Sequence, residues 1–433
     1  MSINLRDYLL KALSIHPGTR EFHLHVLVSS PRKNNSLYPF AKPRPKVYLQ
    51  DILILLSEQR SPEASRVIVT AIEANVYNIP NTSCAVFYVS KVDSTGQAAE
   101  PSPTATLVRG LLKYYADAAT RPIEAEHVWI QLFARAQAQY LFPNSAEWEG
   151  KKWLSDIKLC AWWKRLLTRV VAELGSEGAK TMKMKMFYLL PGYSDFEAEN
   201  ALRIASSSLG PLTDPEMRWV YGHPYSQSDI PLPCGHEKMK NLGHYIPYFD
   251  DDPKSRFLDE IGFITEGESS PPRKRARTRV EGKEKEEEEE EERDKVKEDG
   301  VQGEMGKVTV DEFWERMCFR QECVTGAVTG FFTVMVSGVG VECGEQLGGH
   351  VSSQVNKRIM TSLLTGVEFS TAERSIKATE TLESGIKGLC GHDEAYYSHI
   401  YGRVETRNGF SMSIDRGSSV VPVRELNVRR RKR

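Results

Sequence analysis

The sequence predicts a mixed α/β (α+β) fold, with a central, mostly antiparallel sheet surrounded by helices. Strand-like runs rich in Val, Ile and Tyr fill the first hundred residues. From Thr104 the apolar spacing shifts to a helical period, and one strand-like run recurs late among the helices. Early strands with little helix between them favour antiparallel neighbours over a regular βαβ alternation.

Glu21 to Val28 alternates, Lys46 to Leu56 is apolar and extended, and Arg66 to Tyr77 and Cys84 to Val92 are β-branched and aromatic. Turn clusters at Ser30-Pro31, Pro43-Arg44-Pro45 and Asn78 to Thr82 separate them. Leu107, Leu111, Leu112 and Tyr115 then share one helical face, and Val128, Leu132 and Phe133 are expected on another. Ile157 to Leu174 carries a wide apolar stripe including Trp162, Trp163, Leu166, Leu167, Val170 and Val171 opposite Lys158, Lys164, Arg165 and Arg169.

Met182 to Leu190 returns to a strand pattern, and Asp195 to Ala205 reads as a helix. Further helices fit Asp311 to Glu322 and the segment after Ser370, where Ser370 and Glu373 have the spacing of a capping box. Val324 to Val341 is uncharged but too short and too rich in glycine to span a bilayer comfortably, so a buried strand or a helix-to-strand passage is expected there. The N-terminal stretch Met1 to Leu13 lacks an apolar signal core, which points to synthesis in the cytosol.

The 433 residues carry 57 basic and 58 acidic side chains, a net charge of -1, with 40% hydrophobic and 9% aromatic residues. That composition excludes wholesale disorder and a uniformly basic nucleic-acid coat. The balance hides opposed local charge. Arg273 to Arg279 holds five bases and no acid, whereas Glu281 to Asp299 holds twelve acids against five bases. Residues 266–307 are therefore expected to be a disordered insertion in a single domain formed by 1–265 and 308–428, with a basic tail at 429–433. Both basic clusters fit nuclear localisation signals; a solubilising linker and a frayed tail are the plainer alternatives, and direct contact of the tail with nucleic-acid phosphate stays open.

Several chemistries find no support. Phosphate-binding glycine loops and a nucleophile elbow are absent. Cys234-Gly-His236 with His223 and His244, and Cys390-Gly-His392, lack paired ligand spacing, so no metal is expected. Seven scattered cysteines suit reduced, mostly buried thiols. His23 and His25 would share one strand face as surface or half-buried histidines.

Three features are harder to explain by packing alone. Val89-Ser90-Lys91-Val92-Asp93 ends a strand in a carboxylate. Gln139-Tyr140-Leu141-Phe142-Pro143 precedes Lys151-Lys152 and the Trp162-Trp163 pair. Ile246 to Phe257 sets Asp250-Asp251-Asp252 among aromatic residues ahead of Pro253-Lys254-Ser255-Arg256. Each has a structural alternative: a turn former, a tryptophan core pair, and a surface turn.

In order, and together with Phe313-Trp314-x5-Arg320-Gln321-Glu322, these motifs resemble the fungal histone H3 lysine acetyltransferases associated with regulation of transposition, of the CBP-type acetyltransferase fold. The resemblance covers nearly the whole chain. It implies a nuclear enzyme that takes acetyl-CoA as donor and a lysine of newly made histone H3, with H4, as acceptor. It also implies work with histone chaperones in chromatin assembly and the DNA damage response. Carried over by motif position, Asp93, Trp163, Asp251 and Asp252 would lie near the acceptor lysine. Phe133, Arg135, Tyr140, Lys152 and Trp162 would line the acetyl-CoA channel, and Lys254 would be acetylated by the enzyme itself.

The chemistry must drain a proton from the acceptor lysine. Burial and a like-charged neighbour would raise carboxylates such as a clustered Asp251 and Asp252 toward that task, although the acids could equally only hold the cationic substrate or pair with Arg256, and positioning is favoured over a strong general base. Residues between Phe133 and Gln139 lack a proline that the resemblance leads one to expect. A non-catalytic chromatin scaffold, holding histones through the acidic insertion, is the competing reading.

Overall fold

The early strands pair antiparallel, the four long ones burying residues on both faces of the sheet. They are β1 (Gly18–Val28), β2 (Arg32–Asn34), β3 (Val47–Gln59), β4 (Val67–Ile79) and β5 (Cys84–Ser94). The computed structural model describes residues 3–176, 182–206, 218–235, 241–263, 304–320, 328–338, 350–391 and 394–408. Helix α1 (Leu5–Ser14) precedes β1, and α2 (Thr104–Ala116) crosses from β5 to a parallel neighbour, β6 (His127–Ala134).

That neighbour corrects a sequence expectation. Val128, Leu132 and Phe133 lie on a strand, not on a helix. Val128, Ile130 and Leu132 face one layer of the core while Trp129 and Phe133 face the other. With both faces covered, the strand shows no polar alternation, and its apolar run is indistinguishable from part of a helical stripe.

After α3 (Asp156–Ser176) come β7 (Lys183–Leu189), α4 (Asp195–Ala205) and β8 (Trp219–Tyr221), then α5 (Pro253–Phe263) and α6 (Val310–Met317). The late apolar run yields β9 (Gly330–Ser337), followed by α7 (Ser353–Thr361), α8 (Ala372–Cys390) and β10 (Tyr401–Asn408). The described strands form one sheet in the order β10-β1-β3-β4-β5-β6-β9-β7-β8, with β2 paired to β3. Most pairings are antiparallel, and β5–β6 and β7–β8 are parallel. Strand β10, which the sequence reading missed, closes onto β1 from Gly18↔Asn408 to His25↔Tyr401.

Helices cover both faces. Helices α1 to α4 bury Leu9, Leu111, Leu167 and Leu202 against Phe87, Ile130 and Val334. On the opposite face, α5 and α6 pack Phe257, Leu258 and Phe313 beside Tyr88, Trp129 and Phe331. Further along the same sheet, α8 brings Leu382 and Ile386 against Leu53, Leu55 and Ile68. The helix expected at Asp311 to Glu322 is shorter, with Thr309 Oγ1 capping the amide of Glu312, and 321–322 lie outside the described residues. The cap before α8 is also shifted: Thr371, not Ser370, accepts from the Arg374 amide, while Ser370 Oγ takes the Arg374 guanidinium.

The insertion joins two segments that the fold pins together. The Glu304 amide donates to the Ile261 carbonyl at 3.1 Å, the rings of Phe257 and Phe313 lie 4.9 Å apart, and Arg320 pairs with Glu260. The glutamate run and both basic clusters fall at 264–303 and 409–433, outside the described residues. Among the described residues no helix is long and apolar enough to cross a membrane. Cys84, Cys160, Cys234 and Cys390 are buried free thiols, and burial pushes Cys160 up to about 12.

His23 and His25 are buried, contrary to expectation, because β10 and the turn before it cover that face of β1. His23 Nδ1 lies 2.8 Å from the Tyr401 hydroxyl and Nε2 lies 2.8 Å from Glu21, while His25 sits against the Tyr396 and Tyr401 rings. Burial, then the charges of His23 and Arg66, drive His25 down to about 3. The unfolded chain protonates this residue near pH 6.5, whereas the folded chain keeps it neutral, so stability falls as pH drops below about 6.5. By pH 5 this one group costs about 2 kcal/mol relative to neutral pH. His25→Phe is expected to flatten that part of the pH dependence of the urea midpoint. Parallel profiles for the two proteins would show that His25 does not contribute.

Candidate active site

The site begins at an irregularity in β5. Glu73 of β4 pairs with Lys91 and Ala74 with Val89, so Ser90 is an extra residue, a bulge that changes which face the following side chains occupy. Lys91 Nζ then meets Glu73 at 2.8 Å and reaches to 3.8 Å from Asp251. Two residues on, Asp93 turns inward and is almost fully buried.

Both Asp93 oxygens are taken by the protein's own donors. Oδ2 accepts the backbone amides of Tyr140, Leu141 and Phe142 at 2.7, 2.9 and 3.2 Å. Oδ1 accepts the Ser94 amide at 2.8 Å and Lys151 Nζ at 2.9 Å. Lys151 is buried as well, with a second bond of 2.7 Å to Ser145 Oγ. Lys151 is drawn inward because a buried cation balances the buried carboxylate beside it. Gly96, at φ +75°, allows the close approach: a Cβ there would lie 2.5 Å from Lys151 Cα.

The second part is the approach to α5. Phe249 stacks on Tyr88 of β5 with centroids 3.8 Å apart, and its amide donates to Ser255 Oγ at 2.8 Å. Asp251 adopts φ +63° and exposes its carboxylate, while the next residue, Asp252, is fully buried. Asp252 Oδ1 accepts the Lys254 amide at 2.8 Å, and Oδ2 lies 3.3 Å from Lys254 Nζ without hydrogen-bond alignment. Lys254 is itself buried, its ammonium 5.5 Å from the centroids of both Phe249 and Phe331.

Burial raises the Asp252 carboxyl above the ordinary aspartate range, opposed by Lys254 and then Arg256. A shared charge with Asp251 is not the cause, since that side chain points to solvent. Beside Lys254 lies a cavity of about 10 Å³ bounded by Leu189, Tyr225, Trp314, Phe331 and Thr333 among others.

Asp93, Asp251, Asp252, Lys254 and Phe133 come from strands, loops and the first turn of α5 on one face of the sheet. Phe133 lies 6.4 Å from Phe331, which adjoins Lys254. Tyr140 is fixed through its amide to Asp93, and burial followed by the Asp93 charge raises its hydroxyl. Arg135 is half-buried near Tyr140, and Lys152 is exposed. Trp162 and Trp163 are not brought to this cluster. Their rings meet edge to face at 4.8 Å and pack into the core of α1 to α4 on the other face, with Trp163 buried. Adjacent residues on a helix diverge by about 100°, yet large rings can still touch and share one apolar layer. The aromatic walls Tyr88, Tyr225 and Phe331 went unnoticed in sequence, and Trp314 stood out only as part of the Phe313-Trp314 motif.

A family model, the histone acetyltransferase KAT11-type domain, matches residues 118–385, more than half of the chain. The chain belongs to the KAT11-type histone acetyltransferase family. Its relatives include the histone acetyltransferases rtt109 of Aspergillus flavus, 28% identical over 79% of this chain and 57% of the relative, and of Schizosaccharomyces pombe, 26% identical over 73% and 68%. The chain thus spans little more than half the length of the Aspergillus flavus relative. The crystal structure of Rtt109 from Aspergillus fumigatus shares the fold, with a TM-score of 0.68 and 23% identity, covering 94% of this chain and all of that one. This KAT11-type chain thus has the acetyltransferase fold expected from its motifs.

In this KAT11-type site, Asp93→Asn leaves Lys151 as a buried, poorly paired cation. The expected loss is about 3–5 kcal/mol of unfolding free energy in denaturant titration. Adding Lys151→Met to that variant is expected to restore part of it. A double variant no more stable than the single one would show that the ion pair is not the source.

Proposed function

We propose that this chain is a nuclear enzyme that transfers acetyl from acetyl-CoA to a lysine of newly made histone H3, presented with H4 by histone chaperones. Its biological setting in this reading is chromatin assembly and the DNA damage response. The observation that carries the reading is the buried Asp252–Lys254 pair under aromatic walls, in a chain of the KAT11-type family.

Acetyl-CoA supplies a thioester: the lysine nitrogen bonds to its acyl carbon, the C–S bond breaks, and of the ammonium's three protons one goes to a base, one to the leaving sulfur, and one stays on the amide. A lysine of ordinary pKa, about 10.4, must spend roughly 4.6 kcal/mol to give up its first proton at pH 7. A carboxyl raised by burial accepts that proton better than an ordinary aspartate does. Asp252 has that environment in this protein. Asp251 exposes its charge next to Lys91 and Glu73, where it favours approach of a cationic side chain.

Asp93 acts in this reading as a positioning residue, holding Tyr140 through its backbone amide. Phe133 offers an apolar wall for the pantetheine arm, Tyr140 a half-buried polar edge, and Arg135 and Lys152 cations for its phosphates. Trp162 and Trp163 support the site from the opposite face by anchoring α3. Lys254 is the site of self-acetylation, and the two basic clusters carry nuclear import.

With acetyl-CoA, H3–H4 and a chaperone, Asp252→Asn is expected to lower kcat about 100-fold or more while leaving the KM for acetyl-CoA unchanged. Deleting 266–303, which spares the Glu304–Ile261 contact and the buried Met305, is expected to preserve transfer. Histone binding that depends wholly on that insertion, with no acetyl incorporated, would favour the scaffold instead. Mass spectrometry of the active protein is expected to find acetyl on Lys254, and full activity with unmodified Lys254 would remove that role.

A further inference from the structure

Glu73, Lys91 and Asp251 meet on one face of the sheet because of the irregularity in β5. On β4, Ile72, Ala74 and Val76 pack into the core of α1 to α4, so Glu73 between them points to the opposite face. On β5, Val89 and Val92 both pack toward that same core, an odd spacing that only the extra residue Ser90 permits. Lys91 and Asp93 therefore face away from it. An uninterrupted strand would have put the Lys91 ammonium into the apolar layer. The loop leading into α5 is fixed over these strands by Phe249, whose ring lies 5.7 Å from Tyr77 and 3.8 Å from Tyr88.

The three charges are shared unequally. Lys91 Nζ donates to Glu73 Oε2 at 2.8 Å, and the hydroxyl of the bulge residue, Ser90, donates to the same oxygen at 3.4 Å. From Asp251 Oδ2 the ammonium stands 3.8 Å away, beyond hydrogen-bonding reach. The Lys91 and Glu73 side chains are each 26% exposed, whereas that of Asp251 is 81% exposed. Glu73 thus takes most of the Lys91 charge, and Asp251 keeps an accessible carboxylate with a restrained cation at its side.

A lysine arriving at Asp251 carries the same head group as Lys91, a primary ammonium on a flexible four-carbon stem. The two compete for one carboxylate. Released from Glu73, Lys91 needs only a change of rotamer to close on Asp251 and occupy it.

We propose that Lys91 sets the threshold for the acceptor: Glu73 holds its ammonium back from Asp251, and an incoming lysine takes the place at Asp251 that Lys91 leaves open. Glu73 is then a positioning residue that acts through Lys91. This rests on the proposed role of Asp251 toward the acceptor, and it adds a selection step, since an acceptor must outcompete a tethered ammonium before it is held.

The test measures the KM for H3–H4 presented by a chaperone, at saturating acetyl-CoA, for the full chain and for Asp251→Asn, Lys91→Met, Glu73→Gln and the Lys91→Met/Glu73→Gln double variant. Lys91→Met is expected to lower the histone KM about threefold and Glu73→Gln to raise it about threefold, the scale of a partly exposed ion pair. Loss of folded protein does not tighten a KM, so the first result stands whatever the variant does to stability. The double variant distinguishes an effect passed through Lys91 from the sum of two charge changes: its KM is expected to stay at least about twofold below the natural value.

A histone KM that moves the same way in both single variants, that does not move in either, or that returns to the natural value in the double variant would overturn the proposal. Asp251→Asn reports on the reading beneath it. A raised KM there, with Lys91→Met unmoved, discards the role of Lys91 alone. An unmoved KM in Asp251→Asn discards the acceptor site at Asp251 and the proposal with it.

Discussion

The contact on which the site depends is the buried ion pair of Asp93 and Lys151. It joins the end of β5, where the Ser90 bulge has redirected the strand, to the loop that follows β6. Three consecutive backbone amides converge on the same carboxylate, so the loop's conformation is specified by charge as well as by packing. Losing either partner would leave a charge with neither water nor counterion, which is why the pair acts as a lock and not as a modest surface bridge. Tyr140 inherits its position from that lock, and Leu141 and Phe142 are fixed in the core under α8.

The sheet divides the molecule's labour. One face is an apolar layer of four helices, and the two tryptophans that looked like site residues belong there. The other face holds a charged and aromatic cluster in which one carboxylate is solvated and its neighbour is sealed. Positive φ at Asp251 produces the difference, turning one side chain outward and letting the next cap the first turn of α5. Two adjacent aspartates therefore have unlike environments, and burial raises the Asp252 carboxyl against the opposing charge of Lys254.

Most of the architecture was legible in the sequence. Four early strands, α2, α3, β7 and α4 are marked by periods of two and 3.6 that burial enforces. Strand β6 was misread because a strand covered on both faces carries no polar beat. Strand β10 was missed because its register with β1 is a partnership across nearly four hundred residues. In the site, the residue types around Asp93 and at Asp251 to Lys254 stood out as motifs. Their geometry did not: nothing local announces that Lys151 turns inward while Lys152 stays out, or that Trp314 and Phe331 wall in a lysine sixty or more residues earlier.

The stitch between Ile261 and Glu304 has a consequence for how this lineage can change. Since the flanks at Ile261 and Glu304 are hydrogen-bonded neighbours, whatever is spliced between them adds a loop-closure penalty that grows only with the logarithm of its length. That location is a natural port for appendages, where tethers, addresses or docking arms can be exchanged over evolutionary time while the chemistry next door is left undisturbed.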